Sequence, residues 1–198
     1  LKTVDANLSQ VGSFGGASVK RIHKPVNDEG KTVAVGSYLV PKLTKAAEGK
    51  GIQFVMETAA TELVVTDGKV TGVKAGETTY TGKAVVLATG GFAANTEMVL
   101  QYKPDYEGFV CTNAPGMTGD GIVMAQAIGA DTVDMEQIQI HPTVSQETSA
   151  LITEGLRGDG AILVNSEGKR FFDEVGTRDA VSAAEVAQPG GFAWLIVD

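Results

Sequence analysis

The chain has 198 residues, 43% hydrophobic and 20% charged, a composition that fits one ordinary globular domain or two small ones. Lys plus Arg number 16 against 24 Asp plus Glu, a net charge of −8, and an acidic chain without a basic stripe is a poor nucleic-acid binder because phosphate neutralisation supplies most of that affinity. No apolar run approaches the roughly 20 residues a membrane helix needs, and the single cysteine, Cys111, excludes an internal disulfide or a cysteine-based metal cluster.

Residues 1–31 are irregular and polar, with Gly15-Gly16 and a basic cluster at Lys20, Arg21, His23 and Lys24. From 32 to about 49, Val35, Leu39, Leu43, Ala46 and Ala47 recur at helical spacing, Pro41 disturbs the pattern, and Gly49 can end it. Residues 52–56 read as a short strand. Asp67-Gly68 between Leu63-Val64-Val65 and Val70-Thr71-Gly72-Val73 reads as a hairpin turn, with a third strand returning at 78–81. Residues 84–88 are wholly apolar, as in a buried parallel strand, and run into Thr89-Gly90-Gly91. Asn95 fits the start of a helix. A second helix follows Thr118-Gly119-Asp120-Gly121 and stops at Gly129. Residues 138–141 and 161–164 read as strands, Thr177 as the cap of a helix from Arg178 to about 187, and 192–198 as a last strand. The fold class is α/β (α+β), with a boundary near 134–136. The start at Leu1 and the apolar end at Trp194 to Asp198 read as a piece of a longer polypeptide.

Five clusters carry candidate chemistry. An apolar segment meeting Thr89-Gly90-Gly91 lets backbone approach a ligand, or is a plain turn; the chain has no Gly-x-Gly-x-x-Gly fingerprint. Thr118 and Asp120 either cap a helix or stand beside a cofactor. His141 either hydrogen-bonds an anion or is a structural histidine; with His23 far away in sequence, a histidine metal site has little support, and no metal is expected. Glu154 and Arg157, three apart, pair if their turn is helical, and Thr153 adds a hydroxyl beside them; the plain alternative is a solvated ion pair. Arg178 sits in the first turn of a helix, where a cation opposes the helix dipole, while a surface position is the ordinary reading.

Taken in order, Gly15 to Val19, Leu87 to Phe92, Asn113 to Gly121, Gln139-Ile140-His141-Pro142-Thr143, Thr153 to Gly158 and Thr177-Arg178-Asp179 resemble the flavoprotein subunit of soluble fumarate reductases, the flavocytochrome-like branch of the fumarate reductase/succinate dehydrogenase family. The resemblance spans almost the whole chain. It implies that 1–135 are the later part of an FAD-binding domain, carrying the β-meander, and that 136–198 begin a capping domain over the substrate. It implies FAD as cofactor, with Ala60, Ala88, Thr89, Gly90 and Asp120 touching it. It also implies that His141 and Thr153 bind a substrate carboxylate with Glu154 beside them. The reaction implied is reduction of fumarate to succinate: flavin N5 passes hydride to one alkene carbon, Arg178 protonates the other, and Glu154 and Arg157 return the proton from solvent. Arg is never neutral at equilibrium, so such an acid is always charged and also steadies the developing carbanion. Gly155-Leu156 replaces a more usual Ala-Val. His141 favours a dicarboxylate over a bulkier acid such as urocanate.

The resemblance places the dinucleotide fingerprint upstream of Leu1 and further substrate residues after Asp198, so the isolated piece is expected to be inactive. The electron donor is a haem domain, an FMN domain or a separate partner, in an anaerobic respiration or similar electron-transfer role, and either a cytoplasmic or an exported parent fits. Alternative readings are a urocanate or other acrylate reductase, a ketosteroid dehydrogenase on the same scaffold, and a non-catalytic binding segment.

Overall fold

A computed structural model describes residues 1–198, apart from the side chain of Lys2. The chain divides into two compact units, one made of Leu1–Phe54 with Gln139–Asp198 and the other of Val55–Ile138. Helices and small sheets mix throughout, and every strand pair is antiparallel, so the fold is of the α+β kind.

In the first unit, β1 (Gln10–Gly12) pairs with β2 (Ile22–Lys24), with Val11 opposite His23. Helix α1 (Val35–Glu48) follows, with Pro41 inside it and Gly49 at its end. Proline removes one helical hydrogen bond, and here it lies on an exposed side where water can take the freed carbonyl. A short helix α4 (Glu154–Gly158) leads into β6 (Ile162–Val164), then α5 (Arg178–Val186) and β7 (Trp194–Ile196), which pairs with β6. Leu163, Val181, Ala161 and Pro25 are buried, and so are two charged residues, Arg157 and Glu174. A buried charge is tolerable only when it is paired, and the pairing here builds the site.

The second unit is organised by a meander, β3 (Glu62–Thr66), β4 (Lys69–Ala75) and β5 (Thr78–Thr81). Its first turn has positive φ at both Asp67 (50°) and Gly68 (74°), the backbone that twists a hairpin in the right sense. Asn95 starts α2 (Thr96–Tyr102) by accepting the Met98 amide at 3.0 Å. α3 (Asp120–Ala127) ends before Gly129, whose φ is 88°. Leu63, Ala75, Met98 and Met124 form its core.

Three expected strands do not form. Residues 52–56, 84–88 and 138–141 carry no strand ladder, and Val86 is 86% exposed. An apolar run becomes a strand only when a neighbouring strand takes its amides and carbonyls in a ladder, and these runs make only isolated bonds, such as the Ile138 amide to the Glu136 carbonyl. Thr177 flanks α5 without a side-chain capping bond; its hydroxyl instead holds the Asp179 carboxyl below its ordinary value. Gly119, with φ of 85°, precedes α3, and Thr118 donates to Asp120 at 2.9 Å rather than capping an amide.

Candidate active site

The first turn of α4 sets the geometry. Thr153 precedes it and accepts the Gly155 amide on its hydroxyl oxygen at 3.3 Å, which leaves the hydroxyl hydrogen free to donate outward. Glu154 and Arg157 then fall on one side of the helix, three residues apart, and Arg157 Nη2 donates to Glu154 Oε1 at 3.2 Å. Arg157 Nη1 donates to the Glu174 carbonyl at 2.7 Å. Its side chain is fully buried, so this is an interior ion pair and not the solvated one that the spacing also allowed. Gly15 explains how the guanidinium is covered: a Cβ there would stand 3.1 Å from Arg157 Nη1.

Arg178 closes the chain of charges from α5. Its Nε donates to Glu154 Oε1 at 2.6 Å and its Nη2 to Oε2 at 3.0 Å, a two-pronged pairing with one carboxylate. Its Nη1 donates to Gln139 Oε1 at 2.7 Å. Glu154 therefore bridges two arginines. Its own side chain is 12% exposed, Arg157 is closed off from solvent, and Arg178 is 39% exposed, so the open end of the series is Arg178. The hydrogen bond from Arg178 holds the Glu154 carboxyl below its ordinary value, against the opposing pull of burial. The same hydrogen bond raises Arg178, while burial lowers Arg157.

His141 feels all three charges. Burial first, then the Arg178 charge, pull its imidazole below the ordinary value of 6.5, so it is neutral at pH 7. The Thr143 amide donates to His141 Nδ1 at 3.2 Å. Since Nδ1 accepts, the proton of the neutral ring is on Nε2, which is left to donate. The Ser182 hydroxyl on α5 donates to the Ile140 carbonyl at 3.5 Å, and with the Gln139 contact this ties the 139–141 segment to α5.

The residues expected to touch a cofactor lie in the second unit. Gly119 donates its amide to the Gly91 carbonyl at 3.1 Å and Asn95 Nδ2 donates to the Thr118 carbonyl at 3.0 Å, which joins the loop at 88–91 to the loop at 117–121. Gly121 lies under Thr89: a Cβ at 121 would overlap the Thr89 hydroxyl and come within 3.1 Å of its Cβ. Ala88, Thr89 and Gly90 are exposed, and their amides donate to nothing among the described residues. Small side chains, free amides and a positive φ of 75° at Gly90 make a surface that a flat cofactor can approach through the backbone. Asp120 stands on the joined loop. Ala60 is exposed just before β3 and makes no hydrogen bond to either loop among the described residues.

Gln139, the Glu174 carbonyl and Gly15 were not singled out as site residues from sequence. Gln139 and Gly15 lie inside motifs that carried the resemblance, which is the one signal that could have found them; the Glu174 carbonyl had none.

The sequence matches the FAD binding domain family over residues 2–194. The chain belongs to that family. Its cofactor is FAD, and the exposed backbone at 88–90 and the 117–121 loop fit such a group. The chain is 45% identical over 196 residues to an NADH:fumarate oxidoreductase of Klebsiella pneumoniae, covering 96% of this chain and 21% of that protein. It is 43% identical to a fumarate reductase (cytochrome) of Shewanella frigidimarina, covering 100% of this chain and 35% of that protein. A urocanate reductase of Eggerthella lenta is 42% identical over 92% of this chain and 31% of its own length. The open conformation of a flavocytochrome c3 fumarate reductase superposes on all of this chain with a TM-score of 0.76 at 40% identity, over 35% of that structure. The chain thus spans about a fifth to a third of these relatives. No helix is long and apolar enough to cross a membrane, and no group of metal-ligating side chains is found, both among the described residues.

Proposed function

We propose that this chain supplies the substrate-protonating part of an FAD-dependent reductase that converts fumarate to succinate. The observation that carries the reading is the Arg178–Glu154–Arg157 series, in which one carboxylate holds an exposed guanidinium by two hydrogen bonds and a buried one by a third. When bound, FAD supplies the hydride that saturates one alkene carbon.

The chain's residues do the rest. His141 Nε2–H and the free Thr153 hydroxyl hold one substrate carboxylate, two neutral donors beside a cation. Gln139 and Glu154 fix the plane of the Arg178 guanidinium, so that one N–H points to where the second carbon becomes basic. Arg178 gives up a proton at that carbon and regains one that the Glu154 carboxylate passes on from Arg157. Burial of Arg157 eases its momentary loss of charge. Ala60, Ala88, Thr89, Gly90 and Asp120 are the residues proposed to hold FAD. Residues 1–135 are proposed as the later part of the FAD-binding domain and 136–198 as the start of the capping domain. The electrons come from a haem domain, an FMN domain or a separate donor protein.

The second reading is a urocanate or acrylate reductase, favoured by the relative of that name. A substrate panel on the full-length protein with reduced viologen separates the two. Fumarate reduced and urocanate inert is the expected result; urocanate reduced and fumarate inert overturns the substrate assignment.

A further inference from the structure

Among the described residues, two buried side-chain polar atoms have no hydrogen-bond partner, Arg157 Nε and Glu185 Oε2. One is a donor and the other an acceptor, so each is what the other lacks. The two residues lie close enough for each charge to shift the other's ionisation.

Their placement follows from helix geometry. Arg178 and Glu185 are seven apart on α5, two turns, and so share a face with the buried Val181 and Ser182 between them. Glu154 and Arg157 are three apart on α4. The first residue of one pair meets the first of the other through the Arg178–Glu154 bonds. Arg157 is the closed end of that series, and Glu185 bears on its charge from α5. From α4 the charged group bearing on Glu185 is Arg157, and from the chain entering β7 it is the Ala193 amide. Both favour the carboxylate, and burial outweighs them, raising the carboxyl to about 7. At neutral pH the group can therefore both hold and release a proton.

We propose that Glu185 is the solvent-side proton carrier that recharges Arg157, with one water bridging the leftover donor and acceptor. The inference rests on the proton-relay reading above. In each turnover Arg178 gives one proton to the substrate carbon and is reprotonated through the Glu154 carboxylate. Glu154 takes one from Arg157, Arg157 takes one from the Glu185 carboxyl, and Glu185 refills from solvent water. Every N–H or O–H bond broken is matched by one formed, and no electron pair is consumed by the relay. Glu185 acts through Arg157 and is a positioning and proton-supply residue that does not touch substrate.

The test uses the full-length flavoprotein, reduced viologen and fumarate across pH 5 to 9. Wild type is expected to lose kcat as pH rises past about 7, where the Glu185 carboxyl gives up its proton. Glu185→Gln is expected to lower kcat about tenfold or more at pH 6, with KM and flavin content unchanged and the inflection gone. Glu185→Asp is expected to restore part of the rate and the inflection. A Glu185→Gln enzyme with the wild-type rate and inflection overturns the proposal. Should that variant fail to fold, infrared spectra of wild type decide: a carboxylic-acid band that vanishes near pH 7 in deuterated buffer supports it, and no carboxyl titrating there overturns it. Arg178→Ala is run in parallel. Turnover surviving in Arg178→Ala removes the relay reading itself, whereas a dead Arg178→Ala beside a normal Glu185→Gln removes only the role of Glu185.

Discussion

The first unit pairs most of its interior charges, leaving Arg157 Nε and Glu185 Oε2 over, and the second leaves loop amides open. Glu154 is held by Arg157 and Arg178, and Glu174 by the Leu163 amide and by Arg170. The amides of residues 84–90 donate to nothing among the described residues. The difference teaches that the Glu154–Arg157 pair is set by local helix geometry, whereas the surface proposed to hold a cofactor is built from loops with few hydrogen bonds of their own.

That contrast can be broken at several points. Glu154→Gln in the full-length protein removes the charge between two arginines and should lower kcat about a hundredfold with flavin content intact; a rate near wild type would show that the carboxylate is only structural. The same change leaves Arg157 without its ion partner in the interior, so the denaturation midpoint should fall by the equivalent of about 3 kcal/mol. On the cofactor side, Gly121→Ala drives a Cβ into Thr89 and should destabilise by about 1–3 kcal/mol and loosen FAD. Thr89→Ala combined with it should recover most of the stability; equal midpoints for the single and double variants would mean the two residues do not touch.

Ionisation gives a finer test. The folded Glu185 carboxyl is raised to about 7 from an ordinary 4.5, so the stability linked to it is complete below about pH 4.5 and falls as pH rises towards 7. Melting temperatures of Glu185→Gln should gain on wild type between pH 5 and pH 8. Glu154 is shifted the other way, so its contribution is present above its ordinary value of 4.5 and is lost as pH falls through the lowered folded value. The smallest expected effect is Asn95→Ala, which removes one helix cap and about 1 kcal/mol, read from chemical denaturation.

What sequence made legible follows the range of each rule. The Asp67-Gly68 turn, the Asn95 cap, the end of α1 at Gly49 and the Glu154–Arg157 pairing depend on residues within one turn or one hairpin, and all four stand in the structure. The strands expected at 52–56, 84–88 and 138–141 were read from apolar runs, but pairing is a property of neighbours and cannot be read from the run itself. Gln139 holds Arg178 across 39 positions, and the Glu185 charge bears on Arg157 from another helix; neither spacing has a local signature. The grouping of Arg178 with Glu154 came from the family resemblance and is met by two hydrogen bonds.

The central claim is that Arg178 hands the proton to the substrate carbon. The direct measurement is a single turnover under anaerobic conditions, mixing the fully reduced full-length Arg178→Ala protein with fumarate and following flavin absorbance. Reoxidation slowed about a thousandfold or more, with the flavin still bound, is the predicted result. Reoxidation at the wild-type rate, with succinate formed, would contradict it.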